Sequence, residues 1–146
     1  MVRALDNGND SAFRAGPEYT PDMATETLPL VRKIVRDMIA LNKDIQAQRE
    51  QLSFLDERES NMQDESYREE VRDIRRTLED NEASLSACVN ELNSLGIRPH
   101  QPFDGNIDFP AKRSRREIVL CWNPADESVC HWHEVDDTSG RRHVKD

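Results

Sequence analysis

The sequence is poor in aromatic residues, has few cysteines and contains no long hydrophobic run. Aromatic side chains make up 5% of the 146 residues and charged side chains 34%, so any globular core must be small. Cys88, Cys121 and Cys130 are odd in number and lack close CxxC spacing, which opposes a disulfide framework or a zinc ribbon. Because no stretch resembles a secretory leader or a membrane span, we expect a cytoplasmic protein with no membrane partner and reduced thiols.

Net positive charge is also absent. The formal net charge is -9 and the sequence pI is about 4.9. Such a chain repels phosphate backbones unless a local basic cluster overrides the repulsion. We therefore do not expect nucleic acid as a partner.

What the chain does have is helical signals. Residues 1–18 show no period and are predicted to be a disordered tail. At Thr20 a capping residue precedes Pro21, which suits a first helical turn, and Pro29 predicts a kink or a restart of the helix at Leu28–Pro29. Gly96, followed by apolar Ile97, predicts the end of the last helix.

Between these signals, apolar positions recur in alternating steps of three and four residues, which is typical of a coiled-coil seam. The first seam comprises Val31, Ile34, Met38, Leu41, Ile45, Gln48, Leu52 and Leu55. The second comprises Tyr67, Val71, Ile74, Leu78, Asn81, Leu85, Cys88, Leu92 and Leu95. A short linker around Ser60–Asn61 and Gln63–Asp64 predicts antiparallel helices, so residues 19–96 are expected to form a long two-helix coiled-coil hairpin in which Gln48 and Asn81 lie near each other.

Residues 97–146 are predicted to form a small β module with a mobile C-terminal tail. Two β-prone runs, Glu117–Trp122 and Val129–Glu134, flank a turn at Asn123–Asp126, and a basic loop at Lys112–Arg116 precedes them. A hairpin of two strands is not stable alone, so it should lie on the open end of the helices and form one domain with their base. The predicted fold class is mainly α with a small β module, in which a C-terminal β-hairpin packs on a long antiparallel two-helix coiled-coil hairpin.

The pairing of Asn123 with Ser128 would fix which strand residues share a face. In that register Cys121 lies opposite Cys130, and the cysteines lie on the face away from His131 and His133. This arrangement opposes a Cys–His catalytic pair and a metal site, so we predict no catalytic residues, no metal and no cofactor.

Several segments together resemble the bacterial domain of unknown function 2203 family over roughly Thr20 to Arg141. These are the Thr-led helix start, the Leu-Pro step, the helical hairpin, Gly105–Pro110, Val119–Trp122, Trp132–Glu134 and Gly140–Arg141. The chain departs from the family's pattern at Ala125–Asp126, where a Gly-Glu turn is usual, and at Asn106, which replaces an apolar residue. The family has no established activity, so the resemblance implies the architecture and a bacterial cytosolic origin but no reaction.

The sequence favours a non-catalytic interaction or scaffold protein that self-associates through its helices into a homo-oligomer and binds an unidentified protein partner. The alternative is a small-molecule or anion-binding domain, with enzymatic activity left open, whose pocket lies between the β-hairpin and the helix ends. Its candidate binding patch consists of Asp108, Trp122, His133, Glu134 and Arg141. The basic run Lys112–Arg116, with Arg141 and Arg142, could hold a phosphate or an acidic partner, or could be a solvated loop.

Overall fold

A computed structural model describes residues 18–58, 65–136 and 140–145. The predicted tail, apart from Glu18, and the predicted linker at 59–64 lie outside the described residues. The protein is mainly helical, its two long helices pack together, and it carries a five-stranded antiparallel sheet. The described residues fall into two compact units, one within Met1–Val35 and Val89–Asp146, the other within Arg36–Cys88.

Three helices follow one another along the chain. They are α1 (Pro21–Glu26), α2 (Leu28–Arg58) and α3 (Glu65–Ser94). The predicted start is confirmed, because the Thr20 hydroxyl oxygen accepts a hydrogen bond from the Met23 N–H at 3.1 Å. The predicted restart is also confirmed, since α1 ends at Glu26, Thr27 caps it, and α2 begins at Leu28, immediately before Pro29.

The end of α3 has the predicted glycine cap. Gly96 has a φ of 79°, a conformation that costs little without a Cβ. The N–H of Ile97 then donates to the Leu92 carbonyl at 3.0 Å, and Ile97 is fully buried. This turn sends the chain from the helix into the sheet.

The sheet is a meander in which each strand pairs with the next along the chain. Its strands are β1 (Arg98–Pro99), β2 (Ile107–Arg113), β3 (Arg116–Trp122), β4 (His131–Glu134) and β5 (Arg142–His143). The predicted strands correspond to β3 and β4. The sequence prediction missed β1, β2 and β5, so the prediction of a two-stranded hairpin is too small.

The predicted register between β3 and β4 is wrong by one residue. Cys121 pairs with His131 and Leu120 with Trp132, instead of Cys121 with Cys130. The cause is the connection after β3, where Asp126 N–H donates to the Asn123 carbonyl at 2.9 Å and Ala125 N–H donates to Asn123 Oδ1 at 2.9 Å. These hydrogen bonds close the turn within Asn123–Asp126, before the paired residues of the two strands begin. A shift of the register by one residue moves every side chain of β4 to the other face of the sheet.

The predicted basic loop is also wrong. Lys112 and Arg113 belong to β2 and Arg116 to β3, with only Ser114–Arg115 between the strands. Both turn residues have positive φ, 52° and 69°, as a two-residue hairpin turn of this hand requires. Neither is the glycine or asparagine usual in such turns, which is why the sequence does not reveal it.

The core of the first unit joins the sheet to the adjacent helical segments. Its largest fully buried side chains are Val31, Val35, Leu92, Ile97, Ile107, Phe109, Leu120, Trp122 and Val129. Tyr19 fastens this core, because its hydroxyl donates to the Leu95 carbonyl at 2.6 Å and its ring meets that of Phe109 edge-on at 5.1 Å. The first unit therefore buries most of the large apolar side chains.

The second unit has a thinner core made by α2 and α3. Its buried side chains, where the structure describes them, are Met38, Ile45, Leu52 and Tyr67. The expected proximity of Gln48 and Asn81 is confirmed, since Asn81 Nδ2 donates to Gln48 Oε1 at 3.2 Å. Ion pairs on the surface join Arg49 to Glu82 at 2.6 Å and Arg75 to Asp56 at 3.2 Å. None of the described helices is long and apolar enough to cross a membrane.

Candidate functional site

One face of the sheet gathers histidine, aspartate and cysteine side chains. Asp108 of β2 pairs with Cys121 of β3, which pairs with His131 of β4, and directly paired residues project from the same side. His133, two residues along β4, lies on that side as well. We call Asp108, Cys121, His131 and His133 the histidine face.

The Asp108 carboxylate lies between two imidazole rings. Its Oδ1 atom is 3.0 Å from His100 Nε2 and 3.8 Å from His133 Nε2. His133 is buried, and its Nδ1 lies 2.8 Å from the Glu134 carbonyl, which can only accept, so Nδ1 carries a proton. His100 also has its Nδ1 3.5 Å from Asp104 Oδ2. The two rings thus approach one shared carboxylate oxygen.

Asp104 is an acidic neighbour of this group. Burial raises the pKa of its carboxyl, but hydrogen bonds from Asn106 and the adjacent His100 ring outweigh burial and hold the pKa below its ordinary value. The carboxylate form is therefore favoured beside His100.

Cys121 lies beside Asp108 on the histidine face, and Arg141 lies near Cys121. The Arg141 guanidinium donates to the Asp126 carboxylate and lies close enough to Cys121 to lower the pKa of its thiol. Burial nevertheless raises the pKa of the Cys121 thiol by more than Arg141 lowers it. A protonated, buried thiol is a poor nucleophile, although the register does place it on the same face as His131, contrary to the sequence prediction.

His131 is held in its neutral form. Burial lowers the pKa of its imidazole and the Arg141 charge lowers it further, although Asp126 partly opposes the change. Its ring meets that of His143 edge-on with 5.4 Å between the centroids, and its Nδ1 is 3.5 Å from Cys130 Sγ.

The structure separates the five residues of the predicted patch. Asp108 and His133 lie together on the histidine face, and Arg141 lies close enough to that face to lower the pKa of Cys121. Trp122 is fully buried on the opposite face, where its Nε1 donates to the Asp126 carbonyl at 3.0 Å and Arg32 lies 5.1 Å over its ring. Glu134 also lies on the opposite face and pairs with Arg116 at 2.9 Å.

Sequence reasoning missed His100, Asp104 and Asp126 as neighbours of this face. His100 follows β1, a strand of two residues that includes a proline and carries no alternating pattern. The signal available was the aspartate and histidine content of residues 100–108, which the turn at Gly105 folds back on itself.

The geometry does not assemble a metal centre from the part of the chain that is described. No group of three or more histidine, cysteine, aspartate or glutamate residues there could hold a metal ion. The arrangement can accept and donate hydrogen bonds through imidazole and carboxylate groups, and it offers no activated nucleophile.

The fold is that of a mainly helical protein with a C-terminal meander sheet, and one face of that sheet is the histidine face. The chain belongs to the family of uncharacterised conserved proteins designated DUF2203, which matches residues 18–144. Neither a curated protein sequence nor a solved structure matches the chain.

Proposed function

We propose that the protein is a non-catalytic interaction protein that self-associates through α2 and α3, which act as an antiparallel coiled-coil hairpin. The supporting observation is the incomplete burial of the α3 seam. Val71, Ile74, Leu78, Leu85 and Cys88 are all only half-buried. Apolar side chains at a regular helical spacing that one neighbouring helix does not cover are suited to a further helix.

The energetics favour a further partner for this region. Ordering one residue costs roughly 1–2 kcal/mol, whereas full burial of a large apolar side chain returns about 1.5–3 kcal/mol, and half-burial returns less. Among its described residues, the second unit has four buried side chains of this kind, Met38, Ile45, Leu52 and Tyr67. Added burial in a four-helix bundle would stabilise it.

A second copy of the chain is the occupant that we propose. An open groove of about 230 Å³ is lined from α2 by Gln48 and Gln51 and from α3 by Asp73, Ile74 and Thr77. A second groove lies along α2 at Arg49, Leu52, Ser53 and Asp56. Helices from a second copy could lie in such grooves with their own half-buried residues against the first copy, as a two-fold dimer requires.

The test compares two arginine substitutions on α3. Thr77→Arg places a long cation in the groove, whereas Ala83→Arg makes the same kind of change at an exposed position that lines neither groove. Light scattering coupled to gel filtration at micromolar protein should give a dimer for the parent chain and for Ala83→Arg, and a monomer for Thr77→Arg. Circular dichroism should show unchanged helix content in all three.

A parent chain that remains a well-folded monomer across the micromolar range would refute self-association. If both variants dissociate equally, the groove at Thr77 is not the interface.

A further inference from the structure

A small, mostly apolar cavity lies on the half of the β2–β3 hairpin that is next to the Ser114–Arg115 turn. It has a volume of about 70 Å³, and the apolar residues that line it are Pro110, Ala111, Ile118, Val119 and Val135. A water-sized group occupies about 10–15 Å³ of such space, so the cavity can hold roughly five to seven non-hydrogen atoms. That is the size of a short aliphatic chain.

Part of this lining belongs to the side of the sheet that carries the histidine face. Val119 pairs with Pro110 of β2 and with His133 of β4, and directly paired residues project from the same side. Val135 follows β4 directly and is 48% exposed. An aliphatic chain in the cavity would cover Val135 and so remove apolar surface from water.

Two carboxylates also line the cavity, and they differ in their surroundings. Glu18 Oε2 lies 3.2 Å from Lys112 Nζ. The exposed carboxylate of Glu117 forms no ion pair with any of the residues that the structure describes, although Glu117 lies opposite Lys112 across the two strands. The adjacent Arg116 pairs with Glu134 instead, at 2.9 Å. The cavity therefore has one unmatched negative charge at its rim.

We propose that this cavity binds a small aliphatic primary amine, with the alkyl chain against Val119 and Val135 and the ammonium group beside Glu117. Ligand sites are commonly apolar with a few polar groups that fix the orientation of the ligand. An ammonium group is a compact cation with three N–H donors, so it can pair with Glu117 while its chain stays in the cavity. A neutral chain would leave Glu117 unmatched, and an anion would be repelled by it.

The proposal is independent of self-association, because the cavity lies in the first unit and the grooves of the proposed interface lie in the second. The probe is n-butylammonium, titrated into the full-length chain at constant pH and ionic strength. Nuclear magnetic resonance should show saturable shifts of the backbone amide signals of Ala111, Ile118 and Val119. The amide signal of Ala83, on α3, should stay in place.

Two further ligands separate the chain from the charge. 1-Butanol has the chain without the charge and should bind about three- to fivefold more weakly than n-butylammonium, as expected for an ion pair exposed to solvent. Ammonium chloride has the charge without the chain and should give no saturable shift.

Substitutions test the two parts of the site in turn. Glu117→Gln keeps the size of the side chain and removes its charge, so it should weaken n-butylammonium by the same three- to fivefold and leave the affinity for 1-butanol unchanged. Glu79→Gln, at an exposed position of α3, is the matched control and should change neither affinity. Val135→Ser should weaken both ligands, because it removes apolar surface from the cavity.

The proposal is wrong if n-butylammonium gives no saturable shift of these amide signals, or if ammonium chloride shifts them as much. Equal affinities of the parent chain for n-butylammonium and 1-butanol would also overturn it, since the cavity would then take neutral apolar ligands. So would equal losses in Glu117→Gln and Glu79→Gln, because the net charge of -9 alone would then attract the cation.

Discussion

The polar pair Gln48–Asn81 can be tested by a double-mutant cycle in the second unit. The two side chains lie in the middle of the seams, are half-buried, and share one hydrogen bond of 3.2 Å. The perturbation is Gln48→Ala, Asn81→Ala and the two together. Alanine also raises helix propensity, by up to about 0.7 kcal/mol per site, so single substitutions alone do not isolate the hydrogen bond.

The cycle removes the propensity contribution because it is common to the single and double variants. A neutral hydrogen bond contributes about 0.5–1.5 kcal/mol, and half-burial places this pair in the lower part of that range. We therefore expect a coupling free energy of about 0.5–1 kcal/mol between Gln48 and Asn81.

Urea unfolding followed by circular dichroism measures the four free energies, at one protein concentration because self-association would make stability concentration-dependent. Substitutions that prove additive within about 0.3 kcal/mol would show that the pair contributes no specific hydrogen bond to the folded protein. A matched cycle on the surface ion pair of Arg49 and Glu82, which are both exposed to solvent, should give a coupling that weakens with added salt, unlike that of the amide pair.

Two further predictions concern the histidine face. Burial raises the pKa of the Cys121 thiol, so iodoacetamide should label the half-buried Cys88 and Cys130 well before Cys121. In urea it should label all three cysteines equally, as measured by mass spectrometry. Early labelling of Cys121 in the folded protein would contradict its burial. Burial and Arg141 lower the pKa of His131 below its ordinary 6.5, so the unfolded chain binds more protons than the folded chain just below that pH. The free energy of unfolding should therefore fall as the pH drops from 6.5 through the lower pKa of the folded state. His131→Gln should flatten this pH dependence, and an unchanged slope would refute the prediction.

The helices were predictable because their signals are local. The Thr20 cap, the restart at Pro29 and the Gly96 cap each depend on a few adjacent residues, and the three-four spacing depends on the helical period alone. The contact of Gln48 with Asn81 followed from matching two such patterns across one linker.

The sheet was predictable only in part because its register depends on turn geometry. Strands β3 and β4 were recognised from β-prone residues, but the turn at Asn123–Asp126 sets their pairing through its own hydrogen bonds. An error of one residue there separated His131 from Cys121 in the prediction. The same error placed Trp122 on the face of His133, whereas the structure puts Trp122 on the opposite face. Glu134 also lies opposite His133, because adjacent residues of a strand alternate between the two faces.

Asp126 connects a fluorescent side chain, Trp122, to the histidine face. Its carbonyl accepts hydrogen bonds from Trp122 Nε1 and, at 2.8 Å, from Arg32, whereas its carboxylate accepts from Arg141, which lowers the pKa of Cys121. One residue therefore links the indole buried in the core to the side chains of the histidine face. A change in the ionisation or occupancy of that face that displaces Asp126 alters the polar environment of Trp122, so its fluorescence can record events on a surface where no fluorophore lies.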